Sequence, residues 1–290
     1  LDNLIKIEKQ LFMEVFKMKT NNSKTKAKAF WGAAFMLLIA LIFTACPNNA
    51  GGNKPGGSGE NPSTPPSGKV ILTLDAGKPN IIVKAKTADG SDIQVEGCEE
   101  TTLKSDKAAE LHAKRATVTL KGKITELICI KNQLVALNVQ GCTSLQKLLC
   151  RENKLTSLNV QGCTALKDIQ CQANQLTGLD IQGLTALQKL LCNSNQLTSL
   201  NVQGCTALKD IQCQANQLNA DVFKKLFIDL PVCKSSDDAE AILYTEENGA
   251  NEGNHKDFTN PPELKAAFDG AKNKNWTLMK KKPDGTEEDI

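Results

Sequence analysis

Histidine occurs only twice in the 290 residues, at His112 and His255, far apart in the chain. HExxH, GxSxG, phosphate-loop and paired-carboxylate patterns are absent. The hydrolytic and nucleotide chemistries that rest on those spacings therefore have no footing, and the chain does not read as an enzyme. Close CxxC and HxxH spacings, the usual marks of a zinc site, are missing too. Aromatic residues make up 4% of the chain, as suits a repetitive sequence. The net charge of +3 is not a basic surface. It comes from residues 1–45, where seven lysines meet only Asp2, Glu8 and Glu14; beyond Cys46, 28 basic residues face 29 acidic ones. That balance gives no support for a nucleic-acid partner, and no pattern asks for a cofactor or a metal.

What the chain has is a period. Cys129, Cys150, Cys171, Cys192 and Cys213 follow one another at intervals of 21 residues, and Asn132, Asn153, Asn174, Asn195 and Asn216 keep the same step. Each unit reads LxxLxCxxNxLxxLxVxxCTx, starting at Ile124, Leu145, Leu166, Leu187 and Leu208. Residues 155–176 recur unchanged as 197–218, which points to copied units and an adjustable copy number. The unit divides into halves with the same Leu spacing, so two extended segments joined by a tight corner are expected. Twenty-one residues are too few for two full helices but suit a flattened coil stacked about 4.8 Å from the next. Such a coil buries its apolar edge only against neighbours.

Three readings compete for the cysteines: a core position, a disulfide ladder or a metal site. Each lies two residues after Leu148, Ile169 or their equivalents, hence on the inward face, where cysteine behaves as a small hydrophobe. A second column, Cys142, Cys163 and Cys205, has Leu184 in the same phase. A position that accepts Leu asks for apolar volume. Core packing ranks first, disulfides second and metal last. The asparagines have another duty, because an amide that both donates and accepts can satisfy backbone groups where each coil turns.

The motif LxxLxCxxNxL, recurring five times, resembles the signature of leucine-rich repeat proteins, and the 21-residue nested form resembles a bacterial subtype. The resemblance implies a solenoid of five parallel-β coils over residues 123–220. An N-terminal β cap at 69–122 is read from the runs VILTL (70–74), NIIVKAK (80–86), DIQVEGC (92–98) and ATVTLKG (116–122). A C-terminal α/β cap at 221–290 is read from a helix capped by Asp221 and stopped before Pro231, a strand at 241–244, a helix at 262–273 and a strand at 276–279. Cys98 is expected to be a buried free thiol and His112 an exposed bystander. The acidic loop at 246–257 misses the EF-hand spacing and reads as solvated, and His255 within it as idle.

Ahead of the caps, Lys19, Lys24, Lys26 and Lys28 precede an apolar run from Phe30 to Ala45. This is the order of an export signal, too short for an ordinary membrane span. Met18, in preference to Met13, reads as the start. Phe43-Thr44-Ala45-Cys46 resembles a bacterial lipobox, with Phe43 where Leu is usual, as in spirochaete-like lipoproteins; it implies cleavage before Cys46 and lipid on its sulfur. Residues 46–68 are a Gly-, Pro- and Ser-rich tether.

Outward positions give the functional expectation. Glu126, Lys147, Asp168, Lys189 and Asp210 alternate in sign and would sit side by side in register. The next column, Ile128, Leu149, Gln170, Leu191 and Gln212, leaves aliphatics facing solvent. Ile128, Leu149, Arg151 and Leu191 are candidate ligand contacts, rimmed by Lys131, Glu152 and Lys154; the equal alternative is that the N-terminal unit folds over them. Resemblance to spirochaete leucine-rich repeat lipoproteins implies an adhesin-like protein of the outer membrane or cell surface, in preference to the inner membrane. It would bind a protein or other macromolecule on host or bacterial surfaces. The alternatives are a structural envelope lipoprotein facing the periplasm and a thiol-dependent sensor.

Overall fold

The structure, a computed structural model, describes residues 68–77 and 79–290. The leader, Cys46 and the tether as far as residue 67 lie outside the described residues.

Alternation sets the first strands. In β1 (Lys69–Leu74) Val70, Leu72 and Leu74 are buried, and in β2 (Asn80–Thr87) Ile81, Val83 and Ala85 are. β3 (Ile93–Glu96), β4 (Thr102–Leu103), β5 (Lys107–His112) and β6 (Thr117–Lys121) complete the N-terminal unit. β4 and β5 fall outside the four expected runs; β5 carries Lys107, Glu110 and His112 outward and buries only Leu111 fully. The unit divides between two sheets instead of sitting over one. β1 pairs antiparallel with β8 (Leu134–Asn138), and β2 pairs antiparallel with β7 (Ile124–Ile128).

Along the repeats the strands that follow β7 and β8 are short and parallel. β9 (Lys147–Leu149), β11 (Asp168–Gln170), β13 (Lys189–Leu191) and β15 (Asp210–Gln212) follow β7 in one ladder, each residue opposite its counterpart 21 positions away. The second half of each unit supplies β10 (Ser157–Asn159), parallel to β8, and the separate pair β12 (Gly178–Asp180) and β14 (Ser199–Asn201). The result is a β-rich body of mixed and mostly parallel sheet, compatible with solenoid-like stacking. Its largest sheet has ten strands in the order β18-β17-β16-β15-β13-β11-β9-β7-β2-β5, where β16 (Ala239–Thr245), β17 (Trp276–Lys281) and β18 (Glu287–Asp289) come from the C-terminal end.

The core runs along the units. Leu127, Leu148, Ile169, Leu190 and Ile211 are fully buried, as are all five cysteines two residues further on. Each such leucine is worth roughly 1.5–3 kcal/mol. After each cysteine the chain turns through a left-handed residue, Lys131, Glu152, Ala173, Ser194 and Ala215, with φ of 53–58°. The asparagine that follows pairs the turn. Asn174 Nδ2 donates to the carbonyls of Cys171 (3.0 Å) and of Cys150 in the preceding unit (3.1 Å), and its Oδ1 accepts from Leu155 N–H (3.0 Å). Asn153, Asn195 and Asn216 repeat this pattern. The opposite corner uses a glycine column. Gly204 has φ 79°, and a Cβ there would lie 3.2 Å from the Cα of Gly183, so a side chain would push the units apart.

At the C-terminal end α1 (Ala220–Asp229) begins at Asn219, whose side chain accepts from Val222 N–H. Asn219 therefore caps the helix and Asp221 lies in its first turn. α2 (Pro262–Asn273) crosses between the parallel strands β16 and β17. Every described phenylalanine gathers here: Phe258 contacts Phe223 and Phe227 edge-on (5.2 and 5.5 Å between centroids) and stacks on Phe268 at 5.3 Å. Phe258 belongs to a stretch whose start, the acidic loop, is not simply solvated. Glu252 Oε2 accepts from Ala215 N–H (2.9 Å) and Thr245 N–H (2.6 Å). Buried Asn254 bonds Leu218 N–H and the carbonyls of Cys213 and Leu243. The loop continues the asparagine ladder by one member, because the turn after Cys213 needs the same partners as the others.

Replacing Asn174 with Ala would leave Leu155 N–H buried without a partner, while the Cys150 and Cys171 carbonyls would keep Asn153 and Asn195. With one orphaned donor at roughly 1–3 kcal/mol, Asn174→Ala is expected to lower stability by about that amount, read as a shift in denaturant midpoint; Asn254→Ala is expected to behave alike.

Candidate interaction face

In β9, β11, β13 and β15 the middle residue points inward and its neighbours outward, giving half-buried rather than fully exposed columns. The charged column runs in register through Lys86, Glu126, Lys147, Asp168, Lys189, Asp210 and Glu240. Signs alternate up to Asp210, and Lys189 is ion-paired with Asp210. Burial outweighs the flanking lysines at Asp168 and pushes its carboxyl up. At the end the alternation fails. Glu240 sits beside Asp210, and burial together with that like charge raises its pKa.

The apolar column separates the predicted contacts. Ile128 and Leu149 are direct register partners, whereas Gln170 stands between Leu149 and Leu191. Leu191 is therefore not contiguous with the other two. All three are half-buried, not the solvent-facing aliphatics expected. Lys84 lies beside Ile128 on β2 and turns its ammonium to Asp106 at 2.7 Å. β2 thus lengthens the sheet at this edge and does not fold over the column. It adds Ile82, 47% exposed and on the same side as Lys84, an apolar member that the sequence pattern placed in a strand but not on this face.

The third column begins with Ile130 and Arg151. Arg151 Nη1 lies 2.5 Å from Glu152 Oε1, and Lys131 Nζ lies 2.9 Å from Glu152 Oε2. Two cations therefore converge on one carboxylate beside Ile128 and Leu149. Lys154 leaves this rim for Asp75 (2.7 Å) and, through that hydrogen bond, holds its carboxyl below the usual range. Further along, the Oε1 atoms of Gln172 and Gln214 are buried with no hydrogen-bond donor among the described residues, open acceptors that the sequence did not single out.

The cysteine columns are elsewhere in chemistry as well as in place. Ten cysteines are free and buried among the described residues. Burial pushes the Cys129, Cys163 and Cys171 thiols up to about 12 and those of Cys98, Cys142 and Cys205 to about 11. Cys163 Sγ donates to Val139 O at 2.9 Å and Cys205 Sγ to Ile181 O at 3.2 Å. None offers a thiolate near neutral pH. No group of three or more His, Cys, Asp or Glu side chains gathers as a metal site among the described residues.

The two histidines are engaged. His255 Nε2 is 2.5 Å from Asp257 O, and its ring meets Phe258 edge-on. His112 Nδ1 is 2.6 Å from Glu100 Oε1, and its backbone N–H bonds the same carboxylate. That pairing raises the imidazole pKa and lowers Glu100 to about 2. No helix among the described residues is long and apolar enough to cross a membrane. A scan against protein-family models finds no match, and a search of curated proteins finds none either.

Two outcomes follow. Cys171→Ser buries a hydroxyl in an apolar column and is expected to cost roughly 1–3 kcal/mol, with Cys171→Val milder; denaturant midpoints measure both. For the surface pair, the imidazole contributes fully below its unfolded value of 6.5 and is lost as pH rises through the raised folded value. The carboxylate contributes above 4.5 and is lost as pH falls through about 2. The pair therefore stabilises most between 4.5 and 6.5. In Glu100→Gln, the His112 titration followed by NMR is expected to fall back towards 6.5.

Proposed function

We propose that this chain is an exported leucine-rich repeat lipoprotein. In this reading the five 21-residue coils form a solenoid over residues 123–220, closed by the β unit at 69–122 and the α/β unit at 221–290. Lipid on Cys46 anchors it at the outer membrane or cell surface, and the tether holds the body away from the membrane. The body binds a protein or other macromolecule and serves in adhesin-like attachment to host or bacterial surfaces.

The observation that supports binding at the outward face is the juxtaposition of Ile128 and Leu149 beside the Lys131–Glu152–Arg151 cluster. Register in this sheet is already favoured by the alternating charges, each exposed pair contributing a few tenths of a kcal/mol up to ~1. Aliphatic contacts with an arginine at the rim are a common interface composition, and arginine is favoured among energetic hot spots. Leu191, across Gln170, serves as an outlying contact. The buried, protonated thiols speak against the sensor alternative.

Leu149→Ser combined with Arg151→Gln is expected to weaken attachment of the purified chain to candidate surface ligands by about tenfold or more, the equivalent of roughly 1.4 kcal/mol. The melting temperature is expected to fall only modestly, because Leu149 is half-buried and Glu152 retains Lys131. Unchanged attachment would move the contact elsewhere. Protease treatment of intact cells tests display: loss of the protein fits the adhesin role, and full protection fits the structural envelope role facing the periplasm. Cys46→Ala is expected to release the protein from membranes.

A further inference from the structure

The second half of the third unit breaks the repeat. Residues 155–165 and 197–207 both read LTSLNVQGCTA, and between them 176–186 reads LTGLDIQGLTA. Two of the changes, Gly178 for Ser and Asp180 for Asn, fall on the strand β12. The ladder opens at the same place: β10 belongs to the sheet of β8, whereas β12 pairs only with β14 in a sheet of two strands. In the ten-stranded sheet the same units stay in unbroken register. Gly178 is not needed for backbone reasons. A Cβ there would meet only Ser199 Oγ, at an ordinary 3.6 Å, and its φ is not among the positive ones. The missing side chain makes room; it does not relieve a clash.

The room is a cleft of ≈ 540 Å³ bordered by Ser157, Asn159, Gln161, Gly178, Asp180 and Asn201. That volume lies within the range of small-molecule sites, about 300–1,000 Å³. The lining holds hydroxyls, carboxamides and one carboxylate, with no lysine, arginine or aromatic residue. The single formal charge is negative, which disfavours phosphate, sulfate or an acidic sugar. Carboxamides and hydroxyls both donate and accept, and a carboxylate accepts. This is the complement of adjacent alcohol groups, which also do both. Leu158 and Leu179, the inward middle residues of β10 and β12, lie buried beneath it. The bonds that the polar groups make with one another are long: Gln161 Nε2 to Asp180 Oδ2 is 3.3 Å, Asn159 Nδ2 to Gln140 Oε1 is 3.3 Å and Asn201 Nδ2 to Gln182 Oε1 is 3.4 Å. Bonds at the outer limit of useful length are readily exchanged for better ones to a ligand. We infer that this cleft between β10 and β12 binds a neutral saccharide. The site is on strands other than those of the Ile128–Leu149 face, so it goes beyond the function proposed above and does not rest on it.

The test is binding of the purified full chain to an array of immobilised oligosaccharides, neutral hexose- and N-acetylhexosamine-terminated chains beside sialylated and sulfated ones. Immobilisation at high density compensates for weak single-site affinity. Wild type is expected to retain neutral chains in preference to anionic ones. The G178S/D180N double variant restores the residues of the identical flanking units and so keeps the fold; it should lose at least tenfold in signal at unchanged melting temperature. Asp180→Ala should lose signal likewise. The Leu149→Ser/Arg151→Gln variant should bind the array as wild type does, which separates this site from the other face. No binding by wild type, preference for anionic chains, or a neutral signal retained by either cleft variant would overturn the inference.

Discussion

The buried asparagine amide is the constraint on which the rest of the molecule depends. Parallel strands of three residues leave more backbone in corners than in ladders, and those corner groups are shut away from water. Each amide joins two carbonyls and one N–H across neighbouring units, so it closes its own turn and fastens the unit to the one before. A buried polar group of this kind is costly if it lacks any one partner. The ladder must therefore be ended as well as repeated. At one end Asn132 exchanges two bonds of 2.7 Å with the N–H and carbonyl of Ile82 on β2. At the other, Asn254 and Glu252 arrive from a loop. The two ends are thus defined by what they offer an amide. That is why β2 lies beside β7 in the plane of the sheet and leaves the outward columns uncovered.

With the corners secured, the inward and outward positions are under different demands. Inward, the units accept Cys or Leu at one phase, as Leu184 among Cys142, Cys163 and Cys205 shows; volume and low polarity are all that is asked. Outward, the residues are free to carry charge, aliphatic surface or amides without disturbing the ladder. The two faces use that freedom differently. One offers aliphatic contact beside paired charges, and the other offers a polar cleft made by deleting a single hydroxymethyl group at Gly178.

Much of this was legible in the sequence, and the boundary of legibility has a physical cause. The period of 21 disclosed the inward cysteines, the asparagine ladder and the sign alternation, because stacking imposes one environment on every copy. Where the period stops, so does the guide. Asn254 follows Asn216 by 38 residues, so its role rests on geometry alone. β5 was hidden by Lys107, Glu110 and His112, outward residues of an edge strand whose charges look like those of a loop. Asn219 and Asp221 are both competent caps, and only the backbone distinguishes them. The gap between Leu149 and Leu191 was already written in the alternation of Leu and Gln along the column. Ile82 was missed because its outward neighbours arrive antiparallel, from a strand without the period.

The alternating column also has something to say about how this molecule has grown. An amide or a cysteine is the same in every unit and is indifferent to how many there are. Charge is not. Excising the unit of Asp168 alone would bring Lys147 beside Lys189, a like-charged contact in the middle of a sheet, whereas excising two would bring Lys147 beside Asp210 and keep the alternation as far as Asp210. Between Glu126 and Lys189, length can therefore change without a new like-charged contact only in steps of 42 residues; at the end, loss of the unit of Asp210 alone would bring Lys189 beside Glu240. The identical segments 155–176 and 197–218 stand 42 apart, the step that preserves the alternation within that run.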